Sequence, residues 1–293
     1  MLRLLVIRCW RHLFLIAPLI TALTAPPPAL AEIVVRYPRP ESNPDERSLY
    51  TQRLLELALQ RANPGYRVEQ HPVRMLQGRA LLRLQKGEGI DVVSTMTTSE
   101  REASFMPVRI PLDKGLIGWR LLLINKAQAS KLKSVRTLED LKRLTAGQGS
   151  DWPDTAILRA NGLPVYGTSN YEALFSMLES ERIDYFPRAV TEIWSEVGLY
   201  QERLAVEPSL VLRYPTAIYF FVRKDNTLLA ADITSGLEKM IADGAFEKLF
   251  QEFYGEMIRK SALKERRILD LKNPLMPKGL PLGRKNLWFR ERD

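Results

Sequence analysis

Gly89-Ile-Asp-Val-Val-Ser-Thr-Met-Thr-Thr-Ser-Glu-Arg101, followed by Phe105 and Pro107, is the stretch that decides the fold. Residues 90–94 predict a short strand, because adjacent β-branched valines suit a pleated surface. Thr97, Thr98 and Ser99 end it with hydroxyls able to cap a following helix. Upstream, residues 32–37 form another β-branched run, closed by Pro38 and Pro40. Leu54, Leu55, Ala58 and Leu59 recur at helical spacing within 49–62, and Asn63-Pro64-Gly65 stops that helix. Residues 66–70 read as a strand, and 75–86 as a second helix ended by Gly87. A β-α-β-α-β order implies a parallel sheet with crossover helices. The apolar run 116–124 has the gap-free character of a strand buried on both faces, or of a crossing segment.

A second unit follows. Thr137-Leu-Glu-Asp140 resembles a capping box, and 144–149 a short strand opening into a turn. Helices are expected over 152–160, 171–179 and 190–197, with a strand over 183–186. Residues 216–222 give the last clear strand, before helices over 228–243 and 245–254.

The chain has 293 residues, 45% hydrophobic and 26% charged, an ordinary globular composition that excludes wholesale disorder. Residues 1–31 have the layout of a secretory signal. Arg3, Arg8, Arg11 and His12 make a basic start, 13–23 an apolar core, prolines 26–28 a break, and Ala29-Leu30-Ala31 a cleavage site. The apolar core is shorter than the roughly 20 residues of a membrane span. The expectation is cleavage near Ala31 and a soluble exported chain, periplasmic in a bacterium. Cys9 and His12 would leave with the signal, and His71 would be the remaining histidine. That removes disulfides, thiol nucleophiles and histidine zinc sites. No G-x-S-x-G, P-loop or G-x-G-x-x-G occurs, so neither a serine triad nor a nucleotide site is expected. No metal, cofactor or catalytic residue is assigned. The net charge of +9 falls to +6 without the signal, and residues 256–293 carry that whole excess, with eleven Lys/Arg against five Asp/Glu. The basic character is therefore a property of the tail and does not argue for nucleic acid.

The order of elements resembles a family-3 solute-binding protein of the type II periplasmic binding fold. Residues 89–107 are similar to that family's strand followed by T-x-T-x-E-R and F-S-x-P-Y. Residues 134–141 leading to Gly147-Gln-Gly-Ser150 are similar to D-L-x-G-K … G-T-G-S, and 171–186, ending Arg182-Ile-Asp-Tyr-Phe186, to A-L-x-x-G-R-x-D-A. The match covers roughly residues 32–254. It implies an α/β chain of two lobes, 32–118 plus 218–254 and 119–217, joined by a hinge of two crossing strands. A basic, proline-containing extension over 255–293 would lie outside it. The ligand would sit between the lobes, which close by a hinge motion.

The resemblance makes Arg101 the principal ligand residue, pairing with a carboxylate through its guanidinium fork. Met96 stands where the family's pattern places a hydroxyl, and Thr97 would compensate or cap a helix. Gly149, Ser150, Asp151 and Trp152 open a helix whose free N–H groups suit an anion, with Asp151 either competing or serving as N-cap. Arg188 replaces the aspartate that meets an ammonium group in amino-acid-binding members. It implies a ligand without that ammonium, or one with a second anionic group facing Arg188; turned outward, it would instead pair with Glu192. Tyr37 and Arg39 follow the first strand, on a loop that faces the cleft in this fold. The tail 258–293 is expected either as an extended strip against a lobe or as disordered chain.

The leading function is a monomeric, non-catalytic binding protein. It would capture a small polar, carboxylate-bearing ligand for an inner-membrane permease or a receptor. Two alternatives remain open. One is a cyclohexadienyl-dehydratase-like enzyme using Glu192 or Asp151; the other is an orphan sensory module whose Trp288 and tail contact a partner.

Overall fold

The computed structural model describes residues 32–39 and 46–290, and the expected signal segment 1–31 lies outside these. In chain order the first elements are β1 (Ile33–Arg39), α1 (Glu46–Ala62), β2 (Tyr66–Arg74), α2 (Gln77–Lys86), β3 (Val92–Met96), α3 (Ser99–Ser104) and β4 (Phe105–Val108). Then come β5 (Trp119–Asn125), α4 (Ala129–Lys133), α5 (Leu138–Leu141), β6 (Ala146–Gly149), α6 (Pro153–Ala160), β7 (Val165–Thr168), α7 (Tyr171–Glu179), β8 (Phe186–Ala189) and α8 (Ile193–Leu199). The chain closes with β9 (Leu204–Val206), β10 (Leu210–Arg213), β11 (Ile218–Arg223), α9 (Thr227–Ala242), α10 (Ala245–Ser261) and β12 (Arg267–Asp270). Among the described residues no helix is long and apolar enough to cross a membrane.

The strands fall into two groups. β1 and β2 pair in parallel, and β11 lies between β3 and β4, antiparallel to both. β3 is tied to β1 through Asp91, whose backbone N–H donates to Arg36 O at 2.8 Å and whose carboxylate accepts from Arg36 N–H. The parallel order inferred for the start of the chain therefore holds for β1 and β2, while β11 returns from the far end of the sequence and reverses direction. The second group is β12-β10-β5-β8, with β9 also on β5 and β6-β7 beside it. All seven residues of β5 are buried. Leu121 and Leu123 enter one apolar cluster and Leu122 and Ile124 another, which is why that run, Arg120 apart, shows no polar alternation. The strand expected at 183–186 forms three residues later, at 186–189, because Tyr185 only bridges Ala146 and the ladder with β5 begins at Phe186.

Helices pack on the first group through buried Tyr50, Leu54, Leu55, Ala58 and Leu59 of α1. Gly236 of α9 lets the two helices meet backbone to backbone, since a Cβ there would lie 1.8 Å from Ala58 O.

Two segments cross between the groups as a hinge, and a third passes beside them. Residues 111–118 and 214–217 run antiparallel beside one another, with Tyr214 N–H donating to Gly118 O at 3.1 Å and Leu112 N–H to Ile218 O at 3.0 Å. The third is residues 271–275, where Leu271 N–H donates to Arg213 O at 2.8 Å and Ser99 N–H to Leu275 O at 2.9 Å. The tail is a strip laid over both groups. α10 extends to Ser261, seven residues past the helix end expected at 254, and the extended part of the tail follows it.

Asp113 builds the turn in the first crossing segment. Its carboxylate accepts from Gly115 N–H at 3.1 Å and Ile117 N–H at 2.6 Å, around left-handed Lys114 and Gly115. Burial pushes its pKa up to about 6 from the ordinary 3.8, against the lowering effect of those hydrogen bonds. A pKa raised on folding means that the native state holds the proton more tightly. This group's contribution to stability is therefore complete below pH 3.8 and is lost as pH rises through about 6. We expect Asp113→Asn to flatten that component, measured as melting temperature against pH from 4 to 7 beside the unaltered chain. Parallel curves would exclude it.

Candidate ligand-binding cleft

A cavity of about 280 Å³ opens between the two groups. Tyr37, Gln77, Thr95, Met96 and Phe220 line it from the first group. Arg120, Asp151, Trp152, Asp154, Tyr171, Arg188 and Glu192 line it from the second. β5 and β8 carry the two arginines, and the start of α6 carries the two aspartates and the tryptophan.

The second wall is a buried chain of alternating charge. Arg120 contacts Asp154 at 2.5 Å and Glu192 at 3.0 Å. Arg188 contacts the same Glu192 at 3.2 Å and grips Glu196 through two nitrogens at 2.7 and 2.5 Å. Tyr171 OH donates to Glu196 at 2.6 Å, Tyr214 OH to Asp154, and Ala189 N–H to Glu192 at 2.9 Å. Burial alone would lower the pKa of both arginines. Asp154, Tyr214 and Glu192 outweigh it at Arg120, and Glu192 and Glu196 at Arg188, so both end above the ordinary value and stay charged. Two guanidiniums thus face three carboxylates, and the wall has no positive charge to spare.

Arg188 does line the cavity, but it is 2% exposed and its guanidinium lies 4.9 Å from the Trp152 ring centroid and 4.8 Å from that of Phe186. Its charge is matched by Glu196 and by Glu192, the partner named in the alternative reading, although the side chain is buried rather than turned outward. Glu192, the acid of the dehydratase-like alternative, is likewise held in two ion pairs and by a backbone N–H.

The start of α6 also departs from expectation. Trp152, not Asp151, holds the N-cap position and Pro153 follows, offering no N–H. Ser150 N–H is used by Thr168 O, Trp152 N–H by Gly149 O and Thr155 N–H by Trp152 O. With Asp154 in the first turn, this helix end is unsuited to an anion. Gly149 and Ser150 lie outside the cavity lining; Gly149 forms the seat of Trp152, since a Cβ there would stand 2.4 Å from the indole. Gly149→Ala should therefore cost about 1–3 kcal/mol by overpacking and tilt the indole, read by urea unfolding and tryptophan fluorescence. Unchanged values in both would refute the seat.

Asp151 is exposed and has no ion pair or hydrogen bond to its carboxylate among the described residues. It reaches over to the first turn of α2, where a Cβ on Gly78 would lie 3.7 Å from its Oδ2. On the first wall, Arg101 sits one layer behind the surface. Its guanidinium donates to Thr95 Oγ1 at 2.8 Å, Met96 O at 2.7 Å and Gln77 Oε1 at 2.7 Å, all on lining residues. Those partners are neutral, and burial lowers its pKa, with Asp154, Asp151 and Glu100 pulling the other way. Tyr37 lines the cavity with its hydroxyl buried and unpartnered, and burial beside Glu56 raises its pKa to about 12. Arg39 and Thr97 lie off the lining. Arg39 ends β1, and Thr97 is fully buried with its hydroxyl on Glu102 at 2.9 Å. His71 closes a local turn, its Nδ1 3.1 Å from Val73 N and O. Sequence reasoning missed Arg120, Asp154, Tyr171 and Gln77. The available signal was Arg120, a cation inside the otherwise apolar run 116–124.

No protein-family model matches the chain, and no curated protein sequence matches it. Solved structures do. An ancestral arginine-binding protein bound to glutamine superposes with a TM-score of 0.59 at 21% identity, over 76% of this chain and 98% of that one. A periplasmic His/Glu/Gln/Arg/opine family-binding protein from Silicibacter pomeroyi, in complex with lysine, gives 0.56 at 13% identity, over 76% and 97%. An ancestral amino-acid-binding protein, a precursor of cyclohexadienyl dehydratase, gives 0.55 at 18% identity, over 75% and 95%. The chain has the two-lobed α/β fold of the type II periplasmic binding proteins, the fold its sequence motifs resemble.

Proposed function

We propose that this chain is an exported, non-catalytic binding protein that holds a small zwitterion, an amino-acid-like molecule, between its lobes. It would pass that ligand to an inner-membrane permease or a receptor, working as a periplasmic monomer with lobes 32–118 plus 218–254 and 119–217. The carrying observation is the charge pattern of the cleft. Every other charged group lining the cavity is ion-paired within the wall, which leaves Arg101 behind one face and Asp151 on the other. A carboxylate would take the place of the Gln77 amide on the Arg101 fork, and an amino group would meet Asp151. The solved neighbours in complex with glutamine and lysine support the class.

A thermal-shift panel on residues 32–293 tests this. Amino acids are compared with the matching amines that lack the carboxylate and acids that lack the amine. A ligand at 100 times its Kd stabilises by about 2.7 kcal/mol. Stabilisation by the zwitterions alone is expected; equal shifts with the simple acids would remove Asp151, and none from any compound would remove the reading.

A further inference from the structure

The C-terminal segment is fastened to both strand groups across a very short gap, and we propose that it is a third interlobe strap that stiffens the hinge. It does not depend on which ligand the cleft takes. On the second group, β12 pairs in parallel with β10 from Leu210↔Arg267 to Arg213↔Asp270, and Asp270 holds Arg213 at 2.7 and 3.0 Å. Asn161, at the end of α6, grips the Lys272 backbone in both directions at 2.8 and 2.9 Å.

The chain then passes to the first group. Asn273 Nδ2 donates to Pro215 O at 2.9 Å, on the second crossing segment itself. Leu275 O accepts from Ser99 N–H at 2.9 Å, at the start of α3. Arg284 forks onto Glu238 of α9 at 2.5 and 2.9 Å. Leu287 is buried in the main core, and Phe289 N–H donates to Lys114 O at 2.8 Å in the first crossing segment.

Between the last anchor on one side and the first on the other stand only Asn273 and Pro274. Three residue steps reach roughly 10 Å when fully extended. Pro274 fixes its own φ, and Asn273 is held by accepting from Leu275 N–H at 2.9 Å. The crossing is closed as a turn, with Met276 N–H donating to Asn273 O at 3.4 Å, so rotation of one group against the other must open that turn or break an anchor. A hinge of two strands bends freely by a few backbone torsions; a third, proline-stiffened segment beside them narrows that freedom.

The test uses residues 32–293, which contain no cysteine. Spin labels on Glu88→Cys and Lys133→Cys, both exposed and on opposite groups, report the interlobe distance by double electron–electron resonance. The unaltered tail should give one narrow distance peak without ligand. A Gly-Ser insertion between Lys272 and Asn273 keeps every anchor but adds slack, and should broaden the peak toward longer distances. Truncation after Lys272 should broaden it further. An insertion variant with the original narrow peak overturns the proposal. So does an insertion variant that fails to fold by circular dichroism, because the crossing would then be core rather than restraint.

Discussion

Arg188→Ala is expected to destabilise the chain by about 3–5 kcal/mol, the loss typical of breaking a buried ion pair from one side. The reason is what it leaves behind. Glu196 would lose both its contacts to Arg188, at 2.7 and 2.5 Å, and Glu192 one of its two arginines, in a wall with almost no solvent. Three carboxylates would then face Arg120 alone. The pair itself is a poor source of net stability, because desolvating two ions offsets most of their attraction. Arg188→Met combined with Glu196→Gln should therefore recover much of the loss. Urea unfolding of the single and double variants measures this. A single-variant loss under about 1 kcal/mol, the scale of an exposed pair, would show that the wall is not the buried network described.

Arg101→Ala is expected to weaken ligand binding by roughly 30- to 4000-fold, corresponding to about 2–5 kcal/mol for removing one partner of a buried charged contact. The fork is preorganised by Thr95 and Met96, which keep their contacts when the carboxylate displaces Gln77, so little ordering entropy remains to oppose binding. Arg101→Lys keeps the charge but loses the fork and should fall between the two. Calorimetry with the most stabilising compound of the panel reads both, and equal affinity in all three proteins would take Arg101 out of the site.

The fold was legible because its signals are local. Caps, stops and apolar spacing placed α1, α2, α7, α9 and β5 within a few residues. Thr98 caps α3 by accepting from Arg101 N–H at 3.1 Å, as the hydroxyl cluster suggested. The weak short strands β7, β9, β10 and β12 were invisible, since each owes its order to a neighbour far along the chain. The site was harder for the same reason. Arg188 was visible as a charge out of place, but its partner Glu196, eight residues on, and the Arg120–Asp154 contact, 34 positions apart, depend on packing. Sequence names the charged residues; only the fold shows which are already neutralised.

In the proposed complex a zwitterion bridges Arg101 and Asp151 across the cleft. An experimental structure of the chain with the most stabilising compound of the panel tests it most directly. The carboxylate is expected within hydrogen-bond distance of the Arg101 guanidinium and the amino group on Asp151, beside Trp152. A ligand seated instead in the groove between α1 and α10, lined by Leu49, Leu57 and Phe253, or one in the cleft touching neither charge, would contradict it.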